Sequence, residues 1–596
     1  LHSIDLAIIG CYFVGVIILA LALRRRATVD IDSYFLGSRN MSWWMLGASG
    51  MASNVDMAGT MLIASLIYLC GFQGFFIELR GGVVLIMAFY LAALGKWTRR
   101  SGCMTTAEWM VFRFGAGWQG QLPRLLAAIG NIVFFTYVIA YFAIGSAKFL
   151  AVFVPLPIDT TFLGVDAHLA MSAGLIFIVM IFTSIAGIHG VVWTDILQGF
   201  LILIMAAWFA VQGFISFDPQ LIEQTMGNDW LSLLPRWRFD APPDYEEFEL
   251  MGVAIIFYLI KTTLDGMSGA GGYIAQRYFA ARDEAECRRV SIFWIVLMSI
   301  RWPMVMGIAV LGLTVHDQLK DPEMVLPVVM QQLVPMGLRG LMIVALLAAA
   351  MSTYSSIMNA GASYFVKDIY QAFIRPKASD RELVGASIVA TIGFVVVGLF
   401  MAIGLPQVNR VWEFLNLGIG VALFIPNFLR WYWWRLSGYG YAAGVLVGMI
   451  AALTLEPFRE QLADYFGFAH INFVIIALLS IITMVAISLL TPAADRSTVR
   501  NFLATTRCFG WWHPIRQLLS TQQRAALARE NRRDIYAMIV AVPWQITLFL
   551  LPMTIVVRQW HYAAGLLLTL IVLSALLRII WMKEDHDCLA ADASVS

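Results

Sequence analysis

The sequence predicts an all-α polytopic membrane protein with about fifteen transmembrane helices. Three observations predict it. Of the 596 residues, 60% are hydrophobic and only 13% are charged, about half the charged share of an ordinary soluble domain. The apolar residues fall in blocks of roughly 20, the length that crosses a bilayer core. Lys and Arg collect in every second loop, as the positive-inside rule requires. The mean hydropathy of +0.77 agrees with the first observation.

Taken in chain order, the apolar blocks run near 4–23, 42–69, 74–96, 122–153, 168–187, 190–214, 249–277, 289–314, 336–366, 384–404, 410–429, 437–455, 471–491, 535–556 and 560–582. The first is followed by Arg24, Arg25 and Arg26 but lacks a leading basic stretch and a small-residue cleavage site. It therefore reads as a span and not as a signal peptide. If the last pair is not fully inserted, the count falls to fourteen or thirteen.

The loops after odd-numbered spans are the basic ones. They carry Arg24, Arg25, Arg26 and Arg39, then Lys96, Arg99, Arg100 and Arg113, then Arg282, Arg288 and Arg289. Lys367, Arg375, Lys377 and Arg381 follow, then Arg430 and Arg435, and finally an Arg-rich stretch at 492–534. This pattern predicts a plasma-membrane protein with its amino terminus outside and its carboxyl terminus in the cytoplasm. The long outer segment 215–248 is acidic, with Asp218, Glu223, Asp229, Asp244, Glu246 and Glu247. It reads either as a solvated loop or as a lid over an outer vestibule.

Polar residues inside spans are costly and mark function by default. Span two holds Gly47, Gly50 and Gly59 around Ser53, Asn54 and Asp56. The glycines alone fit a small-residue packing seam. With the polar residues beside them they predict a discontinuous helix whose freed carbonyls can hold a cation. Span nine carries Ser352, Ser355 and Ser356 at i, i+3 and i+4, with Thr353 beside them. A hydroxyl stripe on one face offers a hard cation the oxygens it needs, unless the hydroxyls bond back to their own helix. Asp195 in span six either sits at the interface or faces that stripe. Lys261 and Asp265 in span seven are spaced to pair. Glu78 and Arg80 in span three, and Arg301 in span eight, belong to the same class.

Other classes find no support. There is no phosphate loop, no GxGxxG ahead of a helix, no HExxH and no GxSxG, so neither an enzyme nor an ATP-driven pump is expected. The six cysteines show neither CxxC nor paired spacing, so no disulfide framework or zinc site is expected. No nucleic-acid partner is indicated, and nothing in the sequence sets an oligomeric state.

Several motifs carry a resemblance. Asp32-Ser33-Tyr34-Phe35-Leu36-Gly37-Ser38-Arg39 followed by Trp43-Trp44, Gly190 to Gln198 around Trp193-Thr194-Asp195, Gln276-Arg277-Tyr278-Phe279-Ala280-Ala281-Arg282, and 349–370 ending Lys367-Asp368-Ile369-Tyr370 occur in this order. Together they resemble the sodium:solute symporter family of sodium–sugar, sodium–proline and sodium–sialic acid carriers. The resemblance runs to about residue 490. It implies a leucine-transporter-type core of two inverted five-helix repeats, each with a broken first helix. It implies the division 1–41 (extra helix and loop), 42–214 (first repeat), 215–248 (outer loop), 249–430 (second repeat), 431–491 (peripheral helices), 492–534 (Arg-rich loop) and 535–596 (two extra helices and tail).

The resemblance also implies sites. A main Na⁺ site falls on Ala52, Val55, Ala349, Ser352 and Thr353. A second one falls on Asp195, Ser352, Ser355 and Ser356. The solute site falls on Asp56, Thr60, Glu78 and Asp265. Sugar carriers have Gln where Gly59 stands, and Asn and Tyr where Leu264 and Met267 stand, which argues against a glucose- or galactose-type site. The implied activity is symport of Na⁺ with a small polar organic solute. A proton-coupled carrier is the nearest alternative. A solute sensor would need an output domain larger than the roughly 40 residues near 493–533, a block that otherwise serves as a basic anchor at anionic lipid.

Overall fold

The structure is a computed structural model that describes residues 2–27, 31–39, 41–157, 160–162, 164–239, 245–269, 271–405 and 407–593. Asp244 of the acidic outer segment lies outside the described residues, as do the side chains of Arg24, Arg25, Arg26, Asp32 and Ser33. Among the described residues, secondary structure is almost wholly helical. The exceptions are a small antiparallel hairpin, Thr161–Phe162 with Val165–Asp166, and two isolated bridges, Met41 with Ala281 and Trp433 with Trp511. Among the described residues, eleven helices are long and apolar enough to cross a membrane, twelve with one bent pair counted as a span. Of the other three expected blocks, the first lies in the 25-residue helix Ser3–Ala27, the fifth opens the long helix Ala167–Ser216, and the third is interrupted.

The bent pair is span two. Trp43–Ala52 and Met57–Cys70 meet at 65° across Ser53–Asp56. Gly50 is needed before the bend, because a Cβ there would lie 2.4 Å from the Trp294 ring. Asp56 starts the second half as its N-cap, taking the Gly59 N–H. Span seven is interrupted too: Met251–Ser268 ends at Gly269, which has φ +78°, and the chain resumes as Gly272–Ala280.

Span three is a correction. The expected continuous helix over 74–96 is instead Phe72–Ile77, a tight turn Glu78–Arg80, an unwound Gly81–Leu85, then Ile86–Phe89, a π-helical turn Tyr90–Leu94 and Gly95–Arg100. Val84, a β-branched residue, is held at φ +56°, a strained conformation for its type. Gly81 lets Asn416 approach, and Gly82 lets Glu78 approach: a Cβ would stand 2.6 Å and 1.9 Å from their side-chain oxygens.

The turn expected between spans five and six is also absent as a break. Helical bonding continues from Ala167 to Ser216, 50 residues. A straight helix of that length would be about 75 Å long, far more than the bilayer core. Its apolar stretches among the described residues are Ala167–Ile181 and Gly190–Ser216.

The centre of the bundle is Leu338–Ser363, which continues into a π-helical stretch Tyr364–Ile374. Nearly all of Gly340 to Ser363 is buried. Its run of Ala348, Ala349 and Ala350 with the hydroxyl residues suits a helix surrounded by others and not by lipid. Within 215–239, Trp230 is buried and donates its indole N–H to the Tyr68 carbonyl at 2.8 Å. Gly71 makes room for it.

The Arg-rich stretch 492–534, expected as a loop, is largely helical: Arg496–Thr506, then Thr521–Val556, which opens with a capping box of Ser520 and Gln523. The helix expected at 535–556 thus begins fourteen residues earlier. Its polar part is tied to the bundle by ion pairs of Lys96 with Glu530 (2.9 Å) and Asp534 (2.6 Å), and of Arg100 with Glu530 (2.8 Å).

Candidate functional site

A cavity of about 250 Å³ lies where the two interrupted spans come apart. Ser53, Asn54 and Asp56 line it from the first break, and Ser268, Gly269, Gly271 and Gly272 from the second. The unwound third span adds Glu78, Gly81, Gly82 and Val84. Lys261, Asp265, Arg301, Thr353 and Asn416 complete the polar lining, and Phe134, Phe135, Tyr273 and Trp412 supply aromatic walls.

Each carboxylate on this cavity has a cation beside it. Glu78 Oε1 pairs with Arg80 Nη2 at 3.1 Å, both side chains fully buried. Lys261 Nζ lies 3.3 Å from Asp265 Oδ2 and donates to the Arg80 carbonyl at 2.8 Å. Asp56 Oδ1 accepts from the Gly59 N–H at 2.6 Å, while Arg301 Nη1 donates to the Asn54 carbonyl at 3.0 Å. A Cβ at Gly59 would lie 2.9 Å from Asp56 Oδ2 and 3.2 Å from Arg301 Nη2. Glycine at that position therefore keeps the carboxylate and guanidinium where they are. Of the four solute residues expected from sequence, Asp56, Glu78 and Asp265 line the cavity; Thr60 does not, and its hydroxyl donates to the Asp56 carbonyl at 2.6 Å.

Beside the cavity lies a second, fully buried cluster. Asp195 Oδ1 accepts from Ser352 Oγ at 2.6 Å, and Oδ2 from Ser49 Oγ at 2.5 Å. Ser53 Oγ lies 2.8 Å from Ser356 Oγ and 3.4 Å from Ser352 Oγ. Asp195 therefore faces the hydroxyl stripe, and the first break meets that stripe through Ser53. Arg277 enters the same cluster: its Nη2 donates to Ser49, Ser53 and Ser356 at 2.9, 3.1 and 2.7 Å and stands 3.5 Å from Asp195 Oδ2.

The other expected ion ligands divide in two. Ala52, Val55 and Ala349 are buried, and no backbone N–H among the described residues bonds to the Ala52 or Val55 carbonyl across the break. Those are the oxygens a cation needs. Thr353 lines the cavity with its hydroxyl donating to the Ala349 carbonyl at 3.1 Å. Ser355 donates to the Ser352 carbonyl at 3.0 Å, the back-bonded arrangement open to any helical serine.

Sequence reasoning missed Ser49 and Arg277 as site residues and singled out Ser53 only as part of the helix break. The two serines were visible as an i, i+4 pair in the broken span. Arg277 was visible only as part of a motif, since its partners lie 79 to 228 residues away.

The family model described as "Sodium:solute symporter family" matches residues 34–448. The "Sodium/glucose cotransporter" of Vibrio parahaemolyticus is 23% identical over 505 residues, 78% of this chain and 88% of that protein. The "High-affinity proline transporter PutP" of Bacillus subtilis is 26% identical over 510 residues, 80% of this chain and 96% of that one. The "Sodium/myo-inositol cotransporter 2" of Sus scrofa is 26% identical over 503 residues, 76% of this chain and 70% of that one. A solved structure of a Na⁺-coupled sialic acid symporter, in a substrate-bound outward-open state, superposes with a TM-score of 0.64 at 20% identity. That match covers 83% of this chain and 99% of the other; the likeness is one of fold.

Proposed function

The chain belongs to the sodium:solute symporter family, and from that membership we propose that it brings a small polar organic solute into the cell together with Na⁺ by alternating access. The observation that carries the reading is the position of the cavity. Both interrupted spans open onto it, so a solute bound there touches the two elements whose rearrangement opens one side and closes the other.

In this reading Na⁺ is held by the carbonyls of Ala52, Val55 and Ala349 and the hydroxyls of Ser352 and Thr353. A second ion uses Asp195, Ser352 and Ser356, with Ser355 joining if its hydroxyl turns from the Ser352 carbonyl. Asp56, Glu78 and Asp265, with Lys261 and Arg301, meet the solute. Charges of both signs against aromatic walls suit a compact solute with donors and acceptors. The named relatives carry glucose, proline and inositol; the Gly59, Leu264 and Met267 positions, which differ from the sugar carriers, point away from a glucose-type solute. The chain makes fifteen passes as two inverted repeats with additional helices, its amino terminus outside and its carboxyl terminus in the cytoplasm. One charge moved through 100 mV supplies about 2.3 kcal/mol, more than a tenfold accumulation ratio.

The test is a solute screen by thermal stabilisation of the purified protein in Na⁺ and in choline, since a ligand that binds only the folded form raises its stability. Hits are then followed by uptake into proteoliposomes at fixed pH. Stabilisation and uptake should both require Na⁺. Uptake that runs equally well in choline would end the reading, and uptake driven only by a pH gradient would replace it with proton coupling.

A further inference from the structure

The Arg277 guanidinium nitrogen Nη2 is surrounded as a metal ion would be. Three serine oxygens, from Ser49, Ser53 and Ser356, lie 2.7–3.1 Å away and the Asp195 carboxylate completes the shell at 3.5 Å. These acceptors outnumber the hydrogens that one guanidinium nitrogen can give. The serine oxygens face it as acceptors, an arrangement that serves a guanidinium and a metal cation alike. The Ser49 hydroxyl hydrogen goes to Asp195 and that of Ser53 to the Ser49 carbonyl, which turns their lone pairs toward one point. Arg277 Nε, though buried, has no hydrogen-bond partner among the described residues. A guanidinium chosen to lock a static ion pair is usually held by a matched fork of bonds from two nitrogens; here a single nitrogen carries all the contacts with the cluster.

We propose that the Asp195 site is shared in turn by Arg277 and Na⁺: the guanidinium is the resident cation of one state, and a sodium ion takes its place in another. The proposal rests on the sodium-coupled reading above. It adds a consequence, because Arg277 lies on Gly272–Ala280, the half-helix that follows the second break. Gly269 and Gly272, at φ +78° and +60°, give that half-helix a hinge which L side chains would resist. Entry of Na⁺ neutralises Asp195 and releases Arg277, and with it the half-helix. Withdrawal of the ion lets the arginine return. Two cations cannot occupy so small a shell around a single carboxylate without strong repulsion, so exclusion between them is nearly complete.

The experiment measures ²²Na⁺ binding to the purified full chain. In Arg277→Gln the site is open without competition, and the affinity for Na⁺ should rise about tenfold. Adding Asp195→Asn to that variant should abolish the gain. An affinity equal to or weaker than the unaltered protein's in folded Arg277→Gln overturns the proposal. If that variant does not fold, hydrogen–deuterium exchange of 272–280 in the unaltered protein decides: faster exchange in Na⁺ than in choline is expected, and unchanged or slower exchange overturns it. Absence of any Na⁺ binding by the unaltered protein would instead remove the sodium-coupled reading itself.

Discussion

Gln545 donates its side-chain amide to the main-chain carbonyl of Val84 at 3.2 Å. The two residues are 461 positions apart in the chain. Val84 belongs to the unwound third span and lines the cavity, while Gln545 is on Thr521–Val556, beyond the residues that match the family model. An accessory helix thus braces a strained backbone at the candidate solute site. Strain of this kind costs about 1–3 kcal/mol and persists only where its surroundings over-determine it.

Removing that brace should be felt at the cavity. Gln545→Ala is predicted to lose about 1 kcal/mol of stability, the net worth of one hydrogen bond, and to raise the solute KM with little change in Na⁺ dependence. Thermal unfolding and uptake at varied solute concentration would check it. An unaltered KM would mean that the accessory helix plays no part in shaping the site.

The hydroxyl stripe gives a second prediction. Ser352→Ala removes the donor to Asp195 Oδ1, and Thr353→Ala removes a cavity-lining hydroxyl. Together with Asp195→Asn, each should raise the Na⁺ concentration for half-maximal uptake by about tenfold, roughly 1.4 kcal/mol. Protein yield and melting should change much less. Normal sodium dependence in all three variants would remove the ion assignment, whatever their effect on maximal rate.

The Lys261–Asp265 pair makes a third. Lys261 is almost wholly buried and Asp265 about three-quarters so. Lys261→Met leaves the carboxylate unpaired beside the cavity, and loss of one partner of a buried pair costs about 3 kcal/mol or more. Lys261→Met with Asp265→Leu should recover much of that stability, because no charge is then stranded. The double-mutant cycle is read by denaturation. A double variant as unstable as the single one would show that Lys261 acts through the Arg80 carbonyl and not through Asp265.

How far the sequence could be read depended on whether a feature is local. The break at Ser53–Asp56 was legible because Gly50, Ser53, Asn54 and Asp56 disfavour helix within a few residues of one another. The unwinding at Gly81–Leu85 was not. Its causes are distant: Asn416 against Gly81, and Gln545 on Val84; the local run is apolar enough to pass as a span. Asp195 facing Ser352 was an open alternative that geometry resolves, whereas its meeting with Arg277 required knowing how two halves of the chain pack. The helices in 492–534 were concealed by their arginines. Val499, Phe502, Leu503 and Thr506 are nevertheless buried at i, i+3, i+4 and i+7, a helical period that the charge count obscured.

The last prediction concerns Glu247, in the short turn Glu246–Phe248 before the helix Met251–Ser268. Burial, and then the neighbouring negative charge of Glu413, raises its carboxyl from 4.5 to about 7, against the opposing pull of Arg459 and Arg80. Asn409 donates to its Oε1 at 3.1 Å, and Asn409 also accepts from Arg80 Nη2 at 2.8 Å, so Glu247 is linked to the Glu78–Arg80 pair of the cavity wall. The sign follows from linkage. Between the unfolded value of 4.5 and the folded value of about 7, the native state holds a proton that the unfolded chain has released. Stability conferred by this group is therefore complete at low pH and falls as pH rises through that window. The melting temperature should decline from about pH 5 to pH 7.5 and then level off. Glu247→Gln keeps an acceptor for Asn409 without the charge, so it should flatten that decline and stabilise the protein at pH 8. Equal slopes in the two proteins would assign the pH dependence to another group, and would leave the Glu247–Asn409–Arg80 chain as a structural tie with no titration of its own in this range.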